Sequence, residues 1–289
     1  MSKILVTGAT GTIGKEVVRA LRAKNLEVRA AARTPEKLEA LKKLGAEVVG
    51  LDFTQPASVT AAFQGVDRVF LLTPFVEDPT DLVKGAIAAA KKAGVRFILR
   101  MSAAGADANA PAALPREHGI GENLVKDSGI PWAIIQPNFF MDNFINYSAD
   151  SIKGQSAVYG ASGTGKVAYV SSADVGAVAA EILASPDKHT SKTYVITGGE
   201  AVTDEDAVRT LSGVLGRELK FVNMPAKDYE GALRSFQLPG WQVDGLLFLE
   251  SMVKANGWAE ATVTTVKDLT GREPERLRSF FEKNKALFS

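Results

Sequence analysis

Short aliphatic runs alternate with amphipathic stretches through the first half of the chain. Ile4-Leu5-Val6 is followed by apolar positions at Ile13, Val17, Val18 and Leu21, a spacing of three and four that turns one face of a helix toward a core. Leu26 to Ala32 reads as a second strand, and Thr34-Pro35 opens a helix carrying Leu38, Leu41 and Leu44, with threonine as the cap and proline in the first turn. Ala46 to Leu51 and Val66 to Leu72 predict two further strands, separated by a helix with Val59, Ala62 and Phe63 on one face. An alanine-rich helix from Pro79 to Ala93, a fifth strand from Val95 to Met101, a helix from about Pro115 to Ser128 stopped at Gly129, a sixth strand from Pro131 to Gln136 and a helix from Asp142 to Ile152 continue the alternation. Strands that are apolar on both sides and joined by helices form parallel sheets with right-handed crossovers. The expected fold is therefore α/β, a Rossmann-type doubly wound parallel sheet.

From about Gly154 the pattern loosens. Gly160-Ala-Ser-Gly163-Thr-Gly165-Lys166-Val167 imitates a triphosphate-binding loop, but Val167 stands where a magnesium-binding Ser or Thr is needed and no apolar strand feeds into it, so it reads as a glycine-rich hairpin turn. Ser171 to Asp174 and Thr203 to Asp206 cap two helices, Thr193 to Thr197 and Lys220 to Met224 are strands, and the tail after Ala226 is helical and aromatic. Tyr229, Phe236, Trp241, Phe248 and Trp258 read as core of this part. The expected division is a nucleotide domain over residues 1–153 and a smaller α/β C-terminal lobe over 154–289, the two free to interleave.

Charge and composition remove several classes of function. Lys plus Arg is 34 against 33 for Asp plus Glu, so no net field draws nucleic acid or an anionic membrane. Cysteine is absent and only His118 and His189 exist, which excludes disulfides and thiolate chemistry and argues against a metal site. The N-terminus runs straight into the first strand and no apolar run reaches spanning length, so neither a signal peptide nor a membrane segment is expected, and the cytoplasm is the expected compartment.

The candidate chemistry lies at the carboxyl ends of the strands, where open parallel sheets bind ligands. Gly8, Gly11 and Gly14 stand directly between the first strand and the first helix. A pyrophosphate-binding turn needs glycine there, to leave the strand sharply and let backbone N–H groups approach the ligand at a helix N-terminus. At the end of the second strand an acid serves a ribose 2′-hydroxyl, whereas an arginine suits a 2′-phosphate. The chain has Ala30-Ala31-Ala32-Arg33, which favours NADP, with NADPH preferred over NADH. The other strand ends offer Asp52 and Phe53, then Leu72, Thr73, Pro74 and Phe75, then Ser102, Ala103 and Ala104. Ala106 to Pro115 is a loop of small residues that serves equally as a flap or a connection. Pro137, Asn138, Phe139, Phe140 and Met141 form a turn too apolar for a wet loop, suited to plugging a core or lining a pocket for a flat ligand.

Three stretches together, Val6-Thr7-Gly8-Ala9-Thr10-Gly11-Thr12-Ile13-Gly14, the Arg33 strand end and Gln136-Pro137-Asn138-Phe139-Phe140-Met141-Asp142-Asn143, resemble the NmrA-like group of atypical, extended short-chain dehydrogenases/reductases. Within it the chain is most similar to the bacterial NAD(P)H-dependent quinone, azo-dye and triphenylmethane-dye reductases. The resemblance implies NADP lying across the strand ends, with the Gln136 to Met141 loop approaching the nicotinamide. It also exposes a departure. Relatives that reduce ordinary carbonyls carry Tyr-x-x-x-Lys on the helix after the fifth strand, and here Leu114 falls in the tyrosine register and His118 in the lysine register, with Glu122 beyond. Without a phenol the usual general acid is missing. Quinones and conjugated dyes, being electron-poor, accept hydride with little protonation.

The expectation is a flavin-free NADPH-dependent reductase of a small aromatic acceptor, monomeric or homodimeric. Gly8, Thr10, Gly11, Thr12, Ile13 and Gly14 hold the pyrophosphate, Arg33 the 2′-phosphate, and Asp52 and Phe53 the adenine. Leu72, Thr73, Pro74, Ser102, Ala103, Pro137, Asn138 and Phe139 frame the nicotinamide, Phe75, Ala104, Phe140 and Met141 meet the acceptor, and His118 is the candidate proton donor. The same group also holds NADP-binding regulators without turnover, and a missing tyrosine fits them equally.

Overall fold

A computed structural model describes residues 2–289. In chain order the elements are β1 (Lys3–Val6), α1 (Thr12–Ala23), β2 (Glu27–Ala32), α2 (Glu39–Lys43), β3 (Glu47–Gly50), α3 (Pro56–Phe63), β4 (Arg68–Leu71), α4 (Thr80–Ala93), β5 (Phe97–Met101), α5 (Ala113–Lys126), β6 (Trp132–Pro137), α6 (Asn143–Gln155), β7 (Ala157–Gly160), β8 (Lys166–Val167), α7 (Ser172–Ala184), β9 (Lys192–Ile196), β10 (Val202–Thr203), α8 (Asp204–Leu215), β11 (Lys220–Asn223), α9 (Ala226–Ser235), α10 (Gly240–Lys254), α11 (Thr265–Thr270) and α12 (Leu277–Lys283).

Seven strands form one sheet in the order β3-β2-β1-β4-β5-β6-β9. The pairings β1–β2, β1–β4, β2–β3, β4–β5 and β5–β6 are all parallel, as the alternation of strands and helices demands. The order reverses between β1 and β4, so the crossovers on either side run in opposite directions and leave a crevice at the strand ends between them. This is the Rossmann-type architecture expected from the sequence.

Two compact units make up the chain. The first contains the residues up to Pro111, Pro115–Gln136 and Ser172–Val195; the second contains Ala112–Leu114, Pro137–Ser171 and Ile196–Ser289. In the first unit α1 buries Ile13, Val17, Val18 and Leu21, each worth about 1.5–3 kcal/mol relative to exposure. It packs closely on α7, where a Cβ at Gly176 would lie 2.7 Å from the Glu16 carbonyl carbon. Only glycine admits that approach. A second apolar layer is built from Leu5, Phe63, Val69, Ile87 and Ile98.

In the second unit the core is aromatic, with Phe144, Phe280, Phe281 and Phe288 in edge-on contact around Phe281. This region departs from the sequence pattern at two places. The glycine-rich stretch 160–167 is no hairpin turn: β7 pairs in parallel with β11, and β8 pairs antiparallel with β10, so the strands flanking the glycines belong to different sheets. Phe236, read as core, is 74% exposed, because it falls at the C-terminal end of α9, where the helical face no longer continues.

The second unit also holds partly buried acidic groups. Asp204 at the start of α8 accepts from the Tyr169 hydroxyl and, at 2.6 Å, from the Ser162 hydroxyl, while Glu250 on α10 accepts from the Ala161 N–H at 2.9 Å. Burial and the neighbouring Asp204 carboxylate push Glu250 up to about 7. Between the ordinary carboxylate range and pH 7 the unfolded chain has released this proton and the folded chain keeps it, so stability falls as pH rises through that window and the loss is complete above 7. Glu250→Gln is expected to remove this slope, gaining roughly 1–3 kcal/mol on the wild type between pH 5 and pH 8. Urea midpoints at the two pH values measure it, and parallel midpoints for the two proteins would contradict the assignment.

Candidate active site at the strand ends

The turn after β1 is shaped by contacts that leave no room for side chains. Gly8 adopts a φ of +65°, in the left-handed region that favours glycine. A Cβ at Gly14 would lie 2.3 Å from the Gly8 carbonyl oxygen and 2.8 Å from the Ala9 Cα. The Gly11 N–H donates back to the Gly8 carbonyl at 3.0 Å, closing the turn. Gly11 is the N-cap of α1, with no side-chain cap and no acidic residue in the first turn. The helix N-terminus is thus left open as an anion site. Thr10 is half-buried, Thr12 exposed and Ile13 packed into the core. Thr7, which the sequence reading passed over, locks the crevice: its hydroxyl donates to the Leu72 carbonyl at 2.8 Å and receives the Leu72 N–H at 2.8 Å, tying the ends of β1 and β4 together.

Arg33 follows β2 directly, exposed, and makes no hydrogen bond or ion pair among the described residues. Asp52 follows β3, its carboxylate held by the Thr54 N–H at 2.9 Å and the Thr54 hydroxyl at 2.7 Å. Those bonds, helped by the nearby Arg33 charge, hold its carboxyl below the usual range. Phe53 packs against the apolar layer of the first unit. Leu72 and Thr73 are half-buried and Pro74 is exposed, as is Phe75 at 62%. After β5, Ser102 and Ala104 are buried and Ala103 half-buried.

Behind these strand ends lies a polar network that the sequence showed only in part. Arg100, in the wholly buried strand Phe97–Met101, is 2% exposed. Its Nη1 donates to the Leu71 carbonyl at 3.1 Å and its Nη2 to the Thr73 hydroxyl at 3.2 Å, while Nε has no partner. Glu122 on α5, 4% exposed, accepts from Ser102 Oγ at 2.6 Å, Gln136 Nε2 at 2.6 Å and Lys126 Nζ at 3.0 Å. Room for the guanidinium comes from Gly121, where a Cβ would approach Arg100 Nη2 to 3.2 Å. His118 lies one turn before Glu122; its Nδ1 is buried without a hydrogen-bond partner. Burial first, then the Arg100 charge, lower His118 to about 4 against a smaller opposing pull from Glu122. The imidazole is therefore neutral at pH 7. The signal for Arg100 was available: a lone arginine inside Phe97-Ile98-Leu99-Arg100-Met101 must be buried, and a buried charge needs partners.

The loop before α5 is pinned rather than loose. Asp107 N–H donates to the Pro115 carbonyl at 3.0 Å, Arg116 Nη1 to the Pro111 carbonyl at 2.9 Å, and a Cβ at Gly119 would lie 2.1 Å from the Ala108 nitrogen. In the second unit, Phe139 stacks on Trp258 with centroids 5.8 Å apart, Phe140 bridges to Val170, and Met141 is 2% exposed in the aromatic core. Asn138 shapes this turn, donating to the Ala259 carbonyl at 2.8 Å and accepting from the Phe139 N–H at 2.8 Å. Pro137 closes β6.

A glycine cradle that side chains would fill, an uncapped helix N-terminus, an unpaired arginine one strand over and an orphaned imidazole nitrogen match a phosphorylated dinucleotide. Among the described residues no cluster of His, Asp or Glu is placed to hold a metal, and no helix is long and apolar enough to cross a membrane. The NmrA-like family profile matches residues 1–273. The chain belongs to the NmrA-like family. It is 32% identical to an NAD(P)H azoreductase of Xenophilus azovorans, over 99% of both chains. It is 35% identical to a (4-alkanoyl-5-oxo-2,5-dihydrofuran-3-yl)methyl phosphate reductase of Streptomyces griseus subsp. griseus, again over 99% of both. Among solved structures, the NADPH complex of an Escherichia coli NADPH-dependent quinone oxidoreductase superposes with a TM-score of 0.86 at 30% identity, covering 99% of this chain and 100% of the other.

Proposed function

We propose that this chain is an NADPH-dependent reductase that works without flavin and delivers hydride to a flat, electron-poor acceptor such as a quinone or an azo or triphenylmethane dye. The observation that carries the reading is the pairing of the open, glycine-walled N-terminus of α1 with an exposed, unpaired Arg33 at the end of β2. Reductases at 30–35% identity over essentially the whole chain support it. When bound, NADPH supplies the hydride. The backbone from Gly8 to Gly14 holds the pyrophosphate, Arg33 the 2′-phosphate, and Asp52 and Phe53 border the adenine. Leu72, Thr73, Pro74, Ser102 and Ala103 present the strand ends to the nicotinamide, and Phe75 and Ala104 offer apolar surface to the acceptor. With Leu114 in the register of the family's phenol, the protein provides no strong acid, so acceptors that need one are excluded and electron-poor ones are favoured.

Loss of NADPH absorbance with a panel of quinones, azo dyes and an acylated butenolide tests the reading. Tight NADPH binding with no acceptor-dependent oxidation would replace it with the regulatory one. Arg33→Ala is expected to weaken NADPH by about 10- to 100-fold, the worth of a charge-assisted contact to phosphate, and NADH by less than about threefold. Equal losses for the two cofactors would show that Arg33 is only surface.

A further inference from the structure

We propose that Arg100 is a positioning residue of this site: its buried guanidinium fixes the strand end Leu71 to Thr73 and is seated at Gly121 against the α5 face that carries His118, whose imidazole serves as a hydrogen-bonding group rather than a proton-donating cation. The inference rests on the reductase reading for its catalytic consequence but not for its geometry. Three observations place the guanidinium. It lies inside the sheet, all but sealed from solvent. Two of its nitrogens grip the end of β4. The third faces no acceptor, so its charge is not spent on a contact of its own.

The other side of the guanidinium is α5. Residues three and four apart share a helix face, so His118, Gly121 and Glu122 line one side of α5, and the gap at Gly121 seats Arg100 against that side. A buried cation beside an imidazole opposes its protonation, and burial of the ring acts in the same direction. Glu122 opposes them, but three donors already bind its carboxylate. The remaining charges stand further out. Lys126 pairs with Glu122. Glu117 and Arg116 pair on α5 itself, with Asp78 and Glu77 facing Glu117 from the segment before α4. The consequence for the reaction is that His118 changes no charge through the neutral range: it offers one ring nitrogen as donor and one as acceptor, and the proton that completes acceptor reduction comes from water.

The chain has only two histidines, His118 and His189, so ¹⁵N-imidazole NMR resolves each titration in the intact protein. In the wild type His118 is expected to keep its neutral pattern down to about pH 5. In Arg100→Met its midpoint should rise by about one unit or more toward the ordinary histidine value, and Arg100→Lys should restore the wild-type behaviour. The kcat–pH profile with NADPH and a quinone should be flat from about pH 5 to 8 in the wild type and gain a step at the acid end in Arg100→Met that Arg100→Met/His118→Asn loses. An Arg100→Met protein that is less stable but leaves the His118 midpoint in place would make Arg100 merely structural and overturn the proposal. Should Arg100→Met not fold, a wild-type His118 midpoint near 6.5 overturns it equally. If no acceptor is reduced at all, the reductase reading fails while the NMR result still decides this one.

Discussion

Gly14→Ala is expected to abolish measurable NADPH binding. The added Cβ would sit 2.3 Å from the Gly8 carbonyl oxygen and 2.8 Å from the Ala9 Cα, and both are backbone, so no side chain can swing away to relieve the contact. Relief must come from opening the turn. That breaks the 3.0 Å bond from the Gly11 N–H to the Gly8 carbonyl and moves the first N–H groups of α1 away from where a pyrophosphate is held. The overpacking itself costs about 1–3 kcal/mol of stability. Binding should suffer more, by 100-fold or beyond, because the same backbone groups are the binding site. Calorimetric titration with NADPH measures the one effect and thermal unfolding the other. Gly11→Ala is the control: its Cβ meets only the Gly8 oxygen at 3.3 Å and its φ is −75°, so its melting temperature should drop by much less. Gly14→Ala binding NADPH as the wild type does would contradict the assignment of this turn.

How much of this was legible in the sequence differs by element. The sheet was legible because buried parallel strands are apolar on both faces and their helices carry three- and four-residue spacing, a signal that needs no knowledge of neighbours. The glycine turn and Arg33 were legible because their chemistry is local to two strand ends. The Glu122 network was not, since its members come from β5, α5 and β6, and only the parallel register of those elements brings Ser102, Gln136 and Glu122 within 2.6 Å. The burial of Arg100 was legible from its apolar strand, but its partners, like those of Thr7, were not: each acts through the neighbouring β4, which lies about thirty and sixty residues away in sequence. The second unit was the least legible. Its strands are two to four residues long, too short for periodicity to show a partner, so a glycine-rich link between two sheets looked like a hairpin. Phe236 carried the helical spacing of a core residue and lost that role to the end of α9.

Glu122→Ala is expected to be strongly destabilising. The carboxylate is 4% exposed and takes hydrogen bonds from Ser102, Gln136 and Lys126, and its charge offsets part of the burial that pulls Arg100 down to about 10. Removing it leaves the Ser102 and Gln136 donors unsatisfied and takes away a negative charge whose field offsets part of the burial of Arg100. Buried polar groups left without partners cost about 1–3 kcal/mol each, and more for a charged group. That origin makes a second prediction. If the loss comes from the stranded Arg100, then Arg100→Met should lessen the damage, and the double variant should be more stable than the two single losses predict, by a coupling of about 1–3 kcal/mol. Urea unfolding of the four proteins supplies the cycle. Strict additivity would mean that Glu122 and Arg100 do not sense each other. A loss below 1 kcal/mol would mean that the network carries no stability, and its tight geometry would then have to be explained by the site it supports, with Ser102 on one side and His118 on the other.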